Sequence, residues 1–555
     1  TTSPAQSAVA LPYRALRSAL LVLLPFVSTA SAAAQEAWSE LWVRASEGSG
    51  NWRPTAQNSA LGYYGTQVMT QVGPFTDYTQ LLSSFDNSDV SPVWEKIETL
   101  ETRNHRVAAA ETAPVYATLH SRPTSDPFGR RDVLLRTFHP TSPAPQNEFA
   151  LPVETNGHEK LFLETARDGS LVVAAIYDTF AFQQNLPDTL IALVDPETGS
   201  LQLDRVNIFF GGFNHAALSS DGRRLLLSTS TQFVVYDTVL RQTLITQGHP
   251  FGFQPAGCAL SRDGSTVIHF GSQVNGDVLE ASLRVYVEVP GTPTFAFDQE
   301  FREPAATRCS VATVSEDGLL IASGLDFASY GRVLLQGHRI QGPNRTPQLA
   351  FGRNFFTSSS YQLYASAVDL SEDDQTAVFG LSGDSGGSEP ELVLFDTDSS
   401  LPRATFSLRG SVFSAEMVNG FLLVANKSVH FGEFAGGGDF RLFGAPSDLR
   451  FRGGKPVPGA TLQAETRDAL PTSFARVVFA GRLGSAPWEV GLIGTLYPER
   501  QSLFSRPIGS VDAEGCSVGT FTLGQLVGEV RYAQGLHTGP ARRLTRRWLP
   551  VMTLP

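Results

Sequence analysis

Four stretches decide the fold: LETARDGSLVVAAIY (163–177), AALSSDGRRLLLST (216–229), CALSRDGSTVIHFG (258–271) and VATVSEDGLLIASG (311–324). Each reads as a short apolar strand, a polar Asp-Gly turn and a second apolar strand. Asp-Gly between β-rich runs is a hairpin signal, because Gly adopts the positive φ that tight turns need. A fifth copy, SAVDLSEDDQTAVFGL (366–381), carries Asp374 where the others carry Gly, and a sixth, FSAEMVNGFLLVAN (413–426), turns at Asn419-Gly420. VAAAETAPVYATLH (107–120) is a seventh, weaker copy. Successive turns are 53 (168 to 221), 42 (221 to 263), 54 (263 to 317), 56 (317 to 373) and 46 (373 to 419) residues apart.

A second phrase follows most of these hairpins: a β-branched strand ending in Asp, a polar turn and another strand. TLIALVDPETGSLQL (189–203), FVVYDTVLRQTLI (233–245) and ELVLFDTDSSLPRATF (391–406) show it. Two hairpins recurring every ~40–55 residues are the signature of a four-stranded propeller blade. Over residues 105–445 the chain resembles the YVTN and WD40-like β-propeller repeat proteins exported by bacteria. The resemblance rests on the S-x-D-G turns and the aliphatic or aromatic-Asp strand ends quoted above. It implies an all-β fold and leaves function open, since propellers host binding, scaffolding and several chemistries. No repeat carries Trp-Asp, which departs from the WD40 pattern.

Seven inner hairpins predict seven blades, with eight as the alternative because 428–443 offers further strands. Upstream, TQLLSSFDNSDVSPVWEKIE (79–98) reads as an outer hairpin without an inner partner, suited to completing the last blade of a closed ring. Residues 35–78 form an N-terminal segment without a clear assignment. After Gly444-Ala445-Pro446 the Asp-Gly turns stop, and residues 446–555 have the short alternating strands of a C-terminal β-sandwich. That tail resembles a sandwich module of large exported bacterial proteins.

Residues 1–34 read as a secretory signal. Arg14 and Arg17 precede the apolar run Ala19–Val27, and Ala32-Ala33-Ala34 supplies a cleavage site before Gln35. The run is too short to span a bilayer, and no later segment is long and apolar enough. The expectation is a secreted or periplasmic protein, attached to the cell surface if its sandwich serves as an anchor. Net charge is −12, or −14 once the two leader arginines are removed (−12 − 2), and only four of the 42 basic residues are Lys. An acidic chain with one basic cluster (Arg542, Arg543, Arg546, Arg547) does not suit nucleic acid or an anionic membrane. Three cysteines, Cys258, Cys309 and Cys516, contain no CxxC and no zinc spacing. Cys258 and Cys309 open neighbouring inner strands, so a bridge between them stays open beside the reading of two buried thiols.

Gly383-Asp384-Ser385-Gly386-Gly387 matches the nucleophile elbow of hydrolases and the nucleophile segment of trypsin-like proteases. Its flanks are propeller strands, not the strand-turn-helix or two-barrel settings those chemistries need, so Ser385 reads as a loop residue. His105, His158, His215 and His249 each fall just before an inner strand, where they could converge on a metal or an anion. The competing reading is that such loop histidines tie each loop to its own blade. Phe251 and Phe253, in the stiff loop HPFGFQP (249–255), supply an aromatic wall. The candidate ligand-binding residues are therefore His158, His215, His249, Phe251 and Phe253. No catalytic residue, metal ligand or cofactor is assigned. Taken together, the sequence predicts a non-catalytic binding or scaffold protein that recognises a protein, small molecule or carbohydrate. Alternatives are a lactonase- or lyase-type propeller enzyme working at the channel mouth, and a structural component of the cell surface.

Overall fold

The structure is a computed structural model. It describes most residues between 92 and 427, apart from stretches such as 124–130, 156–159, 179–186, 357–362 and 384–388. It also describes strands at 39–46, 52–60, 63–71, 78–86 and 438–444, and nine strands between 449 and 550. The expected export signal, His158, Ser385, Cys516 and the Asn419-Gly420 turn lie outside the described residues, as does the side chain of His105.

Residues 39–444 build repeated four-stranded antiparallel sheets, and the described residues contain no helix. In chain order the sheets span residues 52–100 (first), 105–155 (second), 161–206 (third), 215–248 (fourth), 253–303 (fifth), 308–356 (sixth), 365–406 (seventh) and 412–444 (eighth). The opening strand of each sheet touches the opening strands of the sheets before and after it. The strands at 412–418 and 52–60 also touch, so the order of contacts returns to its start. This is the arrangement of a β-propeller, with inner strands around an axis and outer strands at the rim.

Burial follows from that arrangement. The second strands Val172–Tyr177 and Thr376–Leu381 are buried along their whole length, because a neighbouring sheet covers each face. The fourth strands Ser200–Val206 and Gln242–Gly248 alternate towards solvent at the rim. Apolar seams fill the gaps between sheets. Leu226, Phe233, Val235, Val267 and Tyr286 pack between the fourth and fifth, and Phe351, Phe379 and Phe395 between the sixth and seventh.

The S-x-D-G phrase has a physical cause. In the fourth sheet Ser219 Oγ donates to Asp221 Oδ1 (2.6 Å) and accepts from Arg224 N (2.9 Å), while Asp221 Oδ1 accepts from Arg223 N (2.9 Å). Ser261/Asp263, Ser315/Asp317 and Ser371/Asp373 repeat the pattern. Gly318 sits at φ +71°, and a Cβ there would lie 2.2 Å from Thr266 Oγ1 of the preceding sheet, so conformation and packing both require Gly. Asp374 takes the corresponding position at φ 54°, the left-handed region that Asp tolerates better than most side chains.

These turns also join sheet to sheet. Thr112 N donates to Arg167 O (2.9 Å), Arg167 N to Ser220 O (2.7 Å), Ser220 N to Arg262 O (2.9 Å) and Asp263 N to Glu316 O (3.4 Å). The result is a belt of backbone hydrogen bonds around the axis. Arg167 pairs with Glu111 (3.0 Å) and reaches to 3.9 Å from Glu316, three sheets further round, so charged side chains cross the axis at this end.

Two expectations about the N-terminal part are corrected. The 79–98 stretch is not a lone hairpin that completes the last sheet. Strands Tyr78–Asp86 and Trp94–Leu100 join Trp52–Ala60 and Tyr63–Gln71 in a full sheet of their own, which the seven-hairpin count omits. The eighth sheet is instead completed by Ser39–Ser46, which pairs antiparallel with Gly438–Gly444 in the register Ser39↔Gly444 to Ser46↔Gly438. No Asp-Gly turn marks residues 52–71, so the repeat signal is absent where this sheet forms. Beyond 444 the described strands make antiparallel sheets of three, four and two strands.

Candidate functional site

The loops before the inner strands gather on one face, opposite the S-x-D-G turns. His215 opens the inner strand of the fourth sheet and pairs in register with Ser228. His249 lies in the connection to the fifth sheet, held by donation of its backbone N–H to Thr231 O (2.7 Å). Beside His249 the structure places a third histidine, His269, on the second strand of the fifth sheet, fully buried and opposite Cys258. The Ser228 hydroxyl lies 3.3 Å from His249 Nε2 and 3.4 Å from His269 Nδ1. A hydroxyl carries one proton, so when Ser228 donates to one imidazole it accepts from the other, and the two rings then share the same tautomer.

Aromatic rings close around the pair. Phe233 lies 4.5 Å from His269 and 5.8 Å from His249, ring centre to ring centre. Tyr286 flanks His269 at 5.9 Å, and Phe253 flanks His249 at 5.3 Å. Burial in this seam disfavours the charged imidazolium. It lowers His249 to about 4, helped by Arg284. His215 is lowered to about 4, by burial first and then by Arg308 and Lys160. His269 is held well below the usual histidine value by burial, with His249 and His215 adding to it. These are neutral imidazoles at neutral pH, and His249 and His269 bind the seam together.

A stability prediction follows. An imidazole whose folded pKa lies below its unfolded value leaves the unfolded chain holding more protons between the two. Stability from His249 is thus fully present above about 6.5 and is lost as pH falls towards about 4. The loss approaches about 3 kcal/mol for such a group. His249→Gln should therefore carry its full penalty at pH 7 and much less of it near the lower value, read from urea midpoints at both. A penalty that does not change with pH contradicts neutral burial of His249.

Of the residues singled out from sequence, His249 packs against the buried His269, and His215 influences it electrostatically. Phe253 is buried in the seam, and Phe251 stands wholly exposed. Cys258 and Cys309 are both free, and burial raises both thiols. Cys258 packs in the fourth-to-fifth seam and Cys309 in the next one round, which leaves them on different walls. The turn aspartates 168, 221, 263 and 317 cap their turns, and Asp195 and Asp237 do the same for the following hairpin. His269 was not among the sequence candidates because it sits mid-strand in TVIHFG, where nothing local separates it from a core residue.

The axis carries further titratable groups. At the turn end, burial raises Glu164 to about 7 and Asp369 to about 6. At the other end, burial raises Asp326 to about 7. Among the described residues, no group of three or more His, Cys, Asp or Glu side chains is placed to hold a metal ion. Nor is any helix there long and apolar enough to cross a membrane.

No protein-family model matches the chain, and no curated protein matches it. Among solved structures it is similar to hydrazine synthase of Kuenenia stuttgartiensis, at 12% identity and TM-score 0.38, over 58% of this chain and 91% of that one. It is also similar to the β-propeller domain of Cps50 (Swd1) from Myceliophteria thermophila, at 9% identity and TM-score 0.37, over 74% of this chain and 99% of that one. Neither likeness bears on function. The class, a β-propeller, rests on the sheets and their cyclic contacts.

Proposed function

We propose that this chain is an exported recognition module. Its propeller has eight blades, closed by Ser39–Ser46, a β-sandwich follows it, and a partner binds on the face formed by the loops before the inner strands. The observation that carries the reading is Phe251, fully exposed on a loop that is held at every step. Phe253 N donates to Pro250 O (3.1 Å), Val274 N to Gly252 O (2.9 Å) and Gln273 Nε2 to Phe251 O (3.0 Å). These bonds tie the loop to the hairpin that exposes Val274, Val278 and Leu279. A large apolar side chain left in water on a stiff support loses little entropy when it is covered, which favours recognition. The buried His249 and Phe253 then act as the foundation of the loop, not as its contact surface.

The test uses peptides selected by display on the unaltered protein. Phe251→Ser should weaken those that bind this face by tenfold or more, about 1.4 kcal/mol, without changing the melting temperature, since the ring makes no core contact. Binders indifferent to the substitution on every face of the propeller would remove the basis of the reading.

A further inference from the structure

We propose that the mouth of the central channel, on the face where the inner strands begin, binds an oxyanion: a carboxylate or phosphate group carried by a small molecule or a partner. The basis is a collar of basic side chains at or next to the starts of inner strands. Arg106, Lys160, His215 and Arg308 stand at the start of the inner strands of the second, third, fourth and sixth sheets. The inner strands run side by side around one axis, so residues at their starts lie at the same end of it.

One contact and one electrostatic influence link members of the collar. Lys160 Nζ donates to Asn214 Oδ1, the residue next to His215, which joins the third sheet to the fourth. Arg308 lies near enough to His215 to oppose its protonation, although it belongs two sheets further round. Arg308 is exposed and pairs across the strands with Asp326, whose carboxyl it lowers against burial. Arg106 is exposed as well, and desolvation lowers it. The acid that faces the collar is Asp326. It accepts from Ala365 N (3.3 Å) and is raised by burial to about 7, so it offsets the basic charge only in part.

The collar stands out in a chain of net charge −12. The opposite end of the same axis collects Glu111, Glu164, Glu316 and Asp369 around Arg167 and Arg262. The potential therefore changes sign across the disc, and an anion is drawn to one mouth and repelled from the other. A guanidinium matches an oxyanion with two parallel N–H groups, Lys160 adds a point charge, and neutral His215 donates a single N–H without repelling the ligand.

The inference stands on the collar alone and does not depend on Phe251. It is tested by titrating the full chain, at low salt and by calorimetry, with inorganic phosphate and separately with citrate. The unaltered protein should bind at least one of them, more weakly as salt rises. Binding of phosphate alone identifies a phosphate-type ligand, and of citrate alone a carboxylate-type ligand. Arg308→Gln should weaken binding at least tenfold, and Lys160→Gln should do so independently, while the melting temperature without anion stays the same for Arg308→Gln and Phe251→Ser binds as before. Binding of neither anion by the unaltered protein, or equal binding by Arg308→Gln, overturns the proposal.

Discussion

Asp237→Ala should destabilise the propeller by about 3–5 kcal/mol, the usual result of removing one partner of a buried ion pair. The Asp237 side chain is completely buried and pairs with Arg224, itself only 9% exposed, and with Arg223 at 3.3 Å. The same carboxylate accepts from Val239 N (2.9 Å) and Leu240 N (2.8 Å), which holds the turn after the strand. Arg224 also reaches Glu288 of the fifth sheet (3.3 Å), so the network joins two neighbouring sheets. Alanine would leave the guanidinium buried with the partly exposed Glu288 as its remaining acid, and two backbone N–H groups uncapped. The measurement is the shift in denaturant midpoint at constant slope. Asp237→Asn separates the two roles, because an amide oxygen can still cap the turn but cannot neutralise Arg224. A loss below about 1 kcal/mol, the range of surface ion pairs, would mean the pair is solvated.

Phe233→Ala should cost a similar amount, about 3–5 kcal/mol, through lost burial and the cavity left behind. Phe233 has no exposed surface and lies within 6 Å, centre to centre, of His249, His269 and Tyr286. Its ring is the apolar cover that keeps His269 neutral. Water admitted to the cavity would let that imidazole take up a proton at higher pH. Two measurements therefore move together in the variant: the unfolding midpoint falls, and the His269 titration followed by NMR shifts upward. A variant that loses stability while His269 stays neutral would place the desolvation elsewhere in the seam.

The buried acids and the buried histidines act oppositely on acid stability. Glu164, Asp369 and Asp326 have folded values raised above those of the unfolded chain. Their contribution is present at low pH and is lost as pH rises through about 6 to 7, whereas the histidine contribution is lost as pH falls from about 6.5 towards 4. Between those limits the two sets oppose each other, which is why the test of His249 compares a variant with its parent and not the parent with itself at two pH values.

The repeat and its meaning were readable because their causes are local. A left-handed turn position favours Gly or Asp, a Ser two residues before the turn Asp satisfies its carboxylate, and a strand covered on both faces is apolar throughout. These demands act within about fifteen residues, so the S-x-D-G phrase and strands such as Val172–Tyr177 announce themselves. The placement of His215 and His249 before inner strands was readable for the same reason. Exposure was not: of the adjacent Phe251 and Phe253, the alternation of the strand buries one and the turn at Gly252, φ +80°, leaves the other in water.

The sequence by itself determined that the chain is all-β, that its unit is a pair of hairpins, and that its turn aspartates serve the backbone. Tertiary structure alone decided which strand completes the eighth sheet, that residues 52–100 form a full sheet without an Asp-Gly turn, and that His269 packs against His249. It alone brought Arg167 to Glu316 across the axis. Ring closure pairs residues about four hundred positions apart, as Ser39 with Gly444. No periodicity records such a pairing, because the free energy that selects it comes from covering the last open sheet edge, a property of the whole ring.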